Sequence, residues 1–184
     1  MRIIGGAWRG RRLIAPPGEA TRPTADRVRQ ALFDMIMHVA WGGCEVIEGA
    51  RVLDAFSGTG ALGLEALSRG AGSATFVEND RAALAALRAN IAACKAEGRT
   101  KVVAADVVRI PQGQPCGIVF LDPPYGQRLV PRTVELLAAR GWVEPGTLMV
   151  AETGEHEVVE VLAGSMLAER MHGAARISVW RVGC

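Results

Sequence analysis

Lysine, cysteine and tyrosine are scarce in this chain: of 21 basic residues only Lys95 and Lys101 are lysines, there are 4 cysteines in 184 residues, and Tyr125 is the single tyrosine. Cys44, Cys94, Cys116 and Cys184 lie far apart, with no C-x-x-C pair and no histidine three to five residues from another ligand. That spacing argues against a structural zinc site and against a disulfide framework, so no metal is expected. His38, His156 and His172 have no evident partners and receive no chemical role. The chain has no run of 18 apolar residues and no apolar h-region near its start. Neither a membrane span nor a secretory signal is therefore expected, and the protein should be soluble, cytoplasmic and without a membrane partner.

Apolar residues make up 49% and charged residues 22%, ordinary values that suit one globular domain with a full core. The net charge of +2 conceals an asymmetry. Residues 1–30 contain Arg2, Arg9, Arg11, Arg12, Arg22, Arg27 and Arg29 against only Glu19 and Asp26, while the rest of the chain is net acidic. Arginine forks match phosphate geometry, so a concentration of them at one end points to a polyanionic partner; solvated surface arginines are the plainer alternative. Ile3 to Ile14 reads as two β-prone pieces around glycine turns, a small hairpin with Trp8 and three arginines near its tip. Phosphate contacts by Arg9, Arg11 and Arg12, joined by Arg22 and Arg27, would hold RNA; otherwise Trp8 simply covers the core edge. Thr24 is the expected N-cap of an amphipathic helix carrying Val28, Ala31, Leu32, Met35, Ile36 and Val39 on its apolar stripe, with Arg27 and Arg29 off it, and Trp41 to Gly43 end it. The chain is expected to divide into a basic hairpin extension, residues 1–20, and a main domain, residues 21–184.

The organising stretch is Arg51 to Leu67. Val52, Leu53, Ala55 and Phe56 form a short apolar run, as in a parallel strand buried on both faces. Gly58, Gly60 and Gly63 follow in the spacing G-x-G-x-x-G, and Leu62, Leu64 and Leu67 continue as a helix ending near Arg69 and Gly70. A strand, a glycine loop and a helix in that order make a seat for a nucleotide-like cofactor. Ala74 to Val77 reads as a second strand ending in Glu78-Asn79-Asp80, where Glu78 lies 20 residues beyond Gly58 and is placed to accept ribose hydroxyls; Asp80 suits the cap of the next helix, residues 81–97. Lys101 to Ala105 is a third strand, and Asp106 at its end either faces the cofactor's base or caps the following turn.

Gly117 to Leu121 is a fourth, uniformly apolar strand that runs into Asp122-Pro123-Pro124-Tyr125. The prolines force a rigid, extended exit that sets Asp122 and Tyr125 at the carboxyl edge of the sheet. An exocyclic base amine is a poor nucleophile because its lone pair is conjugated into the ring. Holding it with acceptors solves this: the Asp122 carboxylate and Pro123 carbonyl each take one N–H, and Tyr125 offers a face for stacking a displaced base. Pro131 to Arg140 reads as a helix, Thr147 to Ala151 as a fifth strand, and Met166 to His172 with Ala174 to Val182 as a terminal hairpin turning near Gly173.

Asp54 to Gly60, Glu78 and Asp122 to Tyr125 together resemble the S-adenosylmethionine-dependent amino-methyltransferases. More narrowly, Arg2 to Gly10, Arg22 to Phe33 and Ala61 to Ala71 are similar to the RsmD family. The resemblance implies a Rossmann-like α/β class I methyltransferase fold: a seven-stranded, mostly parallel sheet with helices on both faces, a C-terminal antiparallel hairpin and the small N-terminal β-hairpin. It implies methyl transfer from S-adenosylmethionine, leaving S-adenosylhomocysteine, to the exocyclic N2 of guanine 966 in 16S ribosomal RNA, either free or within an assembled or partly assembled small subunit. It implies a monomer with Asp54, Phe56, Ser57, Gly58, Gly60, Glu78, Asn79 and Asp106 as cofactor residues and Asp122, Pro123, Pro124 and Tyr125 as the catalytic loop. Adenine-N6 and protein-glutamine methyl transfer share these motifs. An NAD-dependent oxidoreductase shares the glycine loop but has no use for Asp122 to Tyr125. A cytosine-C5 enzyme would need Cys116 as nucleophile, yet Cys116 stands at the opposite end of its strand, and a non-catalytic RNA-binding protein would leave both motifs idle.

Overall fold

A computed structural model describes residues 1–16, 23–38, 43–159 and 164–183. Seven strands form one sheet in the order β3-β2-β1-β4-β5-β7-β6. The parallel part comprises β1 (Arg51–Asp54), β2 (Ser73–Glu78), β3 (Thr100–Ala104), β4 (Ile118–Leu121) and β5 (Leu148–Gly154). The terminal hairpin of β6 (Ser165–His172) and β7 (Ala175–Arg181) adds the antiparallel edge, with β7 inserted between β5 and β6.

Strands buried on both faces explain the uniformly apolar runs. Along β4, Ile118 and Phe120 enter one core layer while Val119 and Leu121 enter the other. The first layer is closed by α1 (Pro23–His38), α3 (Ala61–Ser68) and α4 (Arg81–Ala93), and the second by α5 (Leu129–Ala139) with Trp142. Each fully buried Phe or Leu side chain stabilises by about 1.5–3 kcal/mol, so Phe33, Phe76 and Phe120 are major contributors to the first layer. The Phe33 and Phe120 rings meet at 5.7 Å between centroids, which fastens α1 to the central strand. A short helix, α2 (Cys44–Ile47), was not legible in the sequence. Helix α1 begins at Pro23, so Thr24, the expected N-cap, lies inside its first turn; proline suits that first helical position because the missing N–H has no partner there in any case. Arg22, Val39 and Trp41 lie outside the described residues.

The N-terminal hairpin closes through a single bridge between Arg2 and Arg12, with a 3-10 turn over Gly6–Trp8 between its arms. Its ladder is short because another group takes the next donors. Glu65, fully buried on α3, accepts from the Ile4 N–H at 2.7 Å and the Gly5 N–H at 2.8 Å. The same carboxylate pairs with Arg69 Nε at 2.7 Å and lies 3.8 Å from Arg29 Nε. Arg29 was expected off the apolar stripe of α1 but is only 5% exposed, because it turns inward to donate to the Arg2 carbonyl at 2.6 Å and Asp26 at 2.9 Å. Trp8 is half-buried, donates its backbone N–H to Ser68 Oγ and is capped by the Arg99 guanidinium, which matches the plainer reading of that residue as cover for the core edge.

Removing a buried carboxylate that accepts from two backbone N–H groups and Arg69 leaves those three donors short of a partner and takes the opposite charge from beside Arg29. Glu65→Ala should therefore cost about 3–5 kcal/mol, lowering the melting temperature by roughly 6–20 °C. Glu65→Gln, which keeps one acceptor oxygen, should lose less. Thermal unfolding of the three proteins checks the order.

Candidate active site

The glycine loop leaves the carboxyl end of β1 and turns into α3. Gly60 has φ +80°, and a Cβ there would overlap the Leu87 side chain; one on Gly63 would run into the Phe76 ring. Only glycine lets α3 sit this close to the sheet and α4. Beneath the loop, Asp54 is 1% exposed and accepts the Gly63 N–H at 3.0 Å through Oδ2, while its Oδ1 is buried without a hydrogen-bond partner. Ser57 is also buried, its Oγ donating to the Val77 carbonyl at 3.1 Å. Asp54, Ser57 and Gly60 thus shape the loop from below and behind.

The remaining expected residues meet around one cleft of about 810 Å³ at the carboxyl edge of β1, β2 and β4. Phe56, Gly58, Glu78, Asn79 and Asp106 line one side, and Asp122, Pro123, Pro124 and Tyr125 the other. Glu78 ends β2 with its carboxylate on the loop, accepting from Gly58 N–H at 2.7 Å and from the N–H groups of Asn79 and Asp80, both at 2.8 Å. Asp80 caps α4 through Ala83 N–H, as its sequence position suggested. Asp106 is exposed on the cleft wall and caps a 3-10 turn through Val108 N–H at 3.0 Å, the capping role being one of its two expected readings.

Four polar lining residues carry no motif in the sequence: Gln127, Arg132, Thr133 and Glu152. Glu152 had a visible signal, as the polar residue that follows the apolar run Leu148 to Ala151 on β5. It accepts the Tyr125 hydroxyl proton at 2.6 Å and so fixes the ring, which is 49% exposed, at the mouth of the cleft. Glu157 holds the next turn: it accepts from Gly126 N–H and Arg128 N–H, both at 2.8 Å. The Gly126 bond, then those of Arg128 and Gly154, keep its carboxyl below the usual range despite some desolvation. Arg128 has φ +49° and Gly126 φ +78°, so this turn is left-handed at two points and needs such a tie.

The surrounding walls, then the charges of Glu152 and Asp54, push the Asp122 carboxyl well above the ordinary carboxylate range; its surface still opens onto the cleft, where water screens part of that effect. Cys116 is buried at the far end of β4, and burial pushes its thiol up to about 11, which ill suits it as a nucleophile for C5 chemistry. Among the described residues no cluster of three or more His, Cys, Asp or Glu could hold a metal, and no helix is long and apolar enough to cross a membrane.

The arginines of the N-terminal side lie elsewhere on the surface. Arg9, Arg11, Arg12 and Arg27 are exposed, and Arg9 and Arg27 border a second cleft of about 460 Å³ between the N-terminal segment and α1. Arg11 is partly committed to the Ala93 carbonyl, and Arg22 lies outside the described residues. Asn90 joins this segment to the glycine loop, accepting from Ile14 N–H at 2.7 Å and donating to Ile14 C=O at 3.0 Å and Thr59 C=O at 2.9 Å.

A sheet ordered 3-2-1-4-5-7-6, with its cleft where β1 and β4 diverge, defines a class I methyltransferase. The comparisons narrow this. A family model described as Conserved hypothetical protein 95 matches residues 1–181. The Escherichia coli protein named ribosomal RNA small subunit methyltransferase D is 44% identical over 155 residues, covering 83% of this chain and 74% of that one. Its Haemophilus influenzae namesake is 38% identical over 158 residues, covering 83% and 78%. A solved structure of the Escherichia coli protein yhhF superposes with a TM-score of 0.84 at 39% identity, over 100% of this chain and 98% of that one. The chain belongs to this family of methyltransferases, the RsmD family.

Asp54 supplies a test of the loop's electrostatics. Burial pushes its pKa from 3.8 to about 7, opposed by the Gly63 N–H and reinforced by Glu78. The folded protein thus holds this proton more tightly than the unfolded chain does, so the associated stability is complete below about pH 4 and is lost as pH rises through about 7, by on the order of 4 kcal/mol. Asp54→Asn keeps the acceptor for Gly63 and should not show this loss. Urea unfolding at pH 5 and pH 8 should find the variant gaining on wild type at the higher pH; parallel changes would assign the charge elsewhere.

Proposed function

We propose that this protein transfers a methyl group from S-adenosylmethionine to the exocyclic N2 of a guanine in 16S ribosomal RNA, at the position numbered 966. The observation that carries the reading is Asp122 to Tyr125 at the end of β4, lining one cleft with the glycine loop and Glu78. The names of the Escherichia coli and Haemophilus influenzae relatives support a small-subunit RNA substrate, and the N-terminal block shared with the family supports guanine N2.

The lining residues fit the cofactor. Glu78 offers carboxylate oxygens at the β2 edge for the ribose hydroxyls, Asp106 and Val108 flank the place of the base, and Gly58 exposes backbone to the amino-acid end. When bound, the cofactor supplies an electrophilic methyl on a sulfonium, which leaves as a neutral thioether. The protein's part is orientation and proton transfer. Asp122 and the Pro123 carbonyl hold the amine so that its lone pair points at the methyl carbon, and the braced Tyr125 ring gives the displaced base a stacking face. As the N–C bond forms, the amine becomes strongly acidic and one proton must leave. Asp122, its proton affinity raised by burial and by Glu152, is a suitable acceptor.

Two outcomes test this. S-adenosylmethionine at about 100 Kd adds ~2.7 kcal/mol and should raise the melting temperature by roughly 5–11 °C, with no such shift from NAD. Asp122→Ala should keep that shift while losing on the order of 10²-fold or more in kcat. A shift with NAD alone, or near-normal turnover by the folded variant, would sink the reading.

RNA contact by Arg9, Arg11, Arg12 and Arg27, with Arg22, is tested by salt. Replacing Arg9, Arg12 and Arg27 with Ala should weaken RNA binding and flatten its dependence on log salt by roughly 0.7–0.9 per lost contact, with cofactor binding unchanged. An unchanged slope in a stably folded variant would remove these side chains from the interface.

A further inference from the structure

The parallel pairing of β4 and β5 sets Leu121 opposite Ala151. Asp122, just past the end of β4, and Glu152, still within β5, are the next residues along the two strands, so they stand at the same level, roughly 5 Å apart in the hydrogen-bonding direction. Both line the cleft. One oxygen of Glu152 is occupied and oriented by the Tyr125 hydroxyl at 2.6 Å, and Oε2 has no protein donor among the described residues. The cleft thus holds two carboxylate acceptors side by side, where orienting an amine needs only one and the Pro123 carbonyl.

Guanine carries two kinds of donor on one edge, the N2 amine and the adjacent ring N1–H. Adenine carries its N6 amine beside an unprotonated N1, and a glutamine amide carries its nitrogen beside a carbonyl oxygen. Only the first pattern suits a second acceptor; the other two would point a lone pair at a carboxylate. Resting on the guanine-N2 reading above, we propose that Glu152 is the residue that selects guanine, accepting the ring N1–H through Oε2 while Asp122 holds the N2 amine. Tyr125 then acts twice, stacking on the base and fixing the carboxylate that reads its edge. A proton shared with N1–H also offsets the repulsion between the two neighbouring carboxylates.

The test uses small ribosomal subunits lacking the modification, reconstituted with 16S RNA that has either guanine or 2-aminopurine at the target. The analogue keeps the 2-amine and has no N1–H. Wild type should favour guanine in kcat/KM by on the order of 10- to 100-fold, the discrimination of one well-formed base-edge contact. Glu152→Gln, whose amide can either accept from N1–H or donate to a bare N1, should reduce that ratio to a few-fold. Tyr125→Phe, which keeps the carboxylate, should retain most of the discrimination even where its rate falls. Equal losses on both substrates in Glu152→Gln, with the ratio intact, would overturn the proposal and leave Glu152 as a brace for Tyr125. A wild-type ratio near one would overturn it whether or not any variant folds. Wild type that ignores guanine particles but methylates adenine-bearing RNA would instead defeat the proposed function, and this inference with it.

Discussion

Glu65 is a carboxylate in the apolar middle of a helix, and the arrangement of the N-terminal half depends on it. A charge buried at that depth is stable only if every lone pair is answered, and here the answers come from two backbone N–H groups and the guanidinium of Arg69, with Arg29 close by. Arg69 in turn lies over the Phe33 ring at 4.9 Å. One acid therefore links the N-terminal segment, α1 and the helix that follows the glycine loop. The basic N-terminal residues are thereby tied to the element that carries the glycine loop, and Asn90 repeats that connection at Ile14 and Thr59.

The site itself follows from topology. Strands β1 and β4 are neighbours whose connections run to opposite faces of the sheet, and a cleft opens where they part. The glycine loop on one strand and the double proline on the other are both rigid, each for the reason its residues make plain: absent Cβ atoms in one case, fixed φ in the other. Side chains on such stiff strand exits keep their geometry.

What could be read in the sequence was whatever depends on neighbours along the chain. The apolar runs of β1, β2 and β4, the glycine spacing, the Asp80 cap and the turn at Gly173 are local, and they stand where their residues indicated. What stayed hidden depends on distant partners. Glu65 reads as a solvated helix charge until Ile4, 61 residues away, is seen to donate to it. Arg29 has the same fate for the same reason. Asp54 shares a motif with cofactor residues, yet its side chain turns beneath the loop, because the α3 amide of Gly63 is the nearest donor. Glu152 lies in β5 just past the apolar run Leu148 to Ala151, and only the pairing of β5 with β4 reveals its neighbour.

The insertion of β7 between β5 and β6 carries a consequence for how the chain matures. During synthesis β6 emerges first but has no direct partner on the sheet, since its pairing runs wholly through β7. β6 can therefore join the sheet only with β7 or after it, and a hairpin already formed docks on β5, where β7 pairs from Leu148 to Gly154. That stretch contains Glu152, so the strand that braces Tyr125 keeps an open edge until β7 docks. Closing the sheet and settling this wall of the cleft are then coupled in folding.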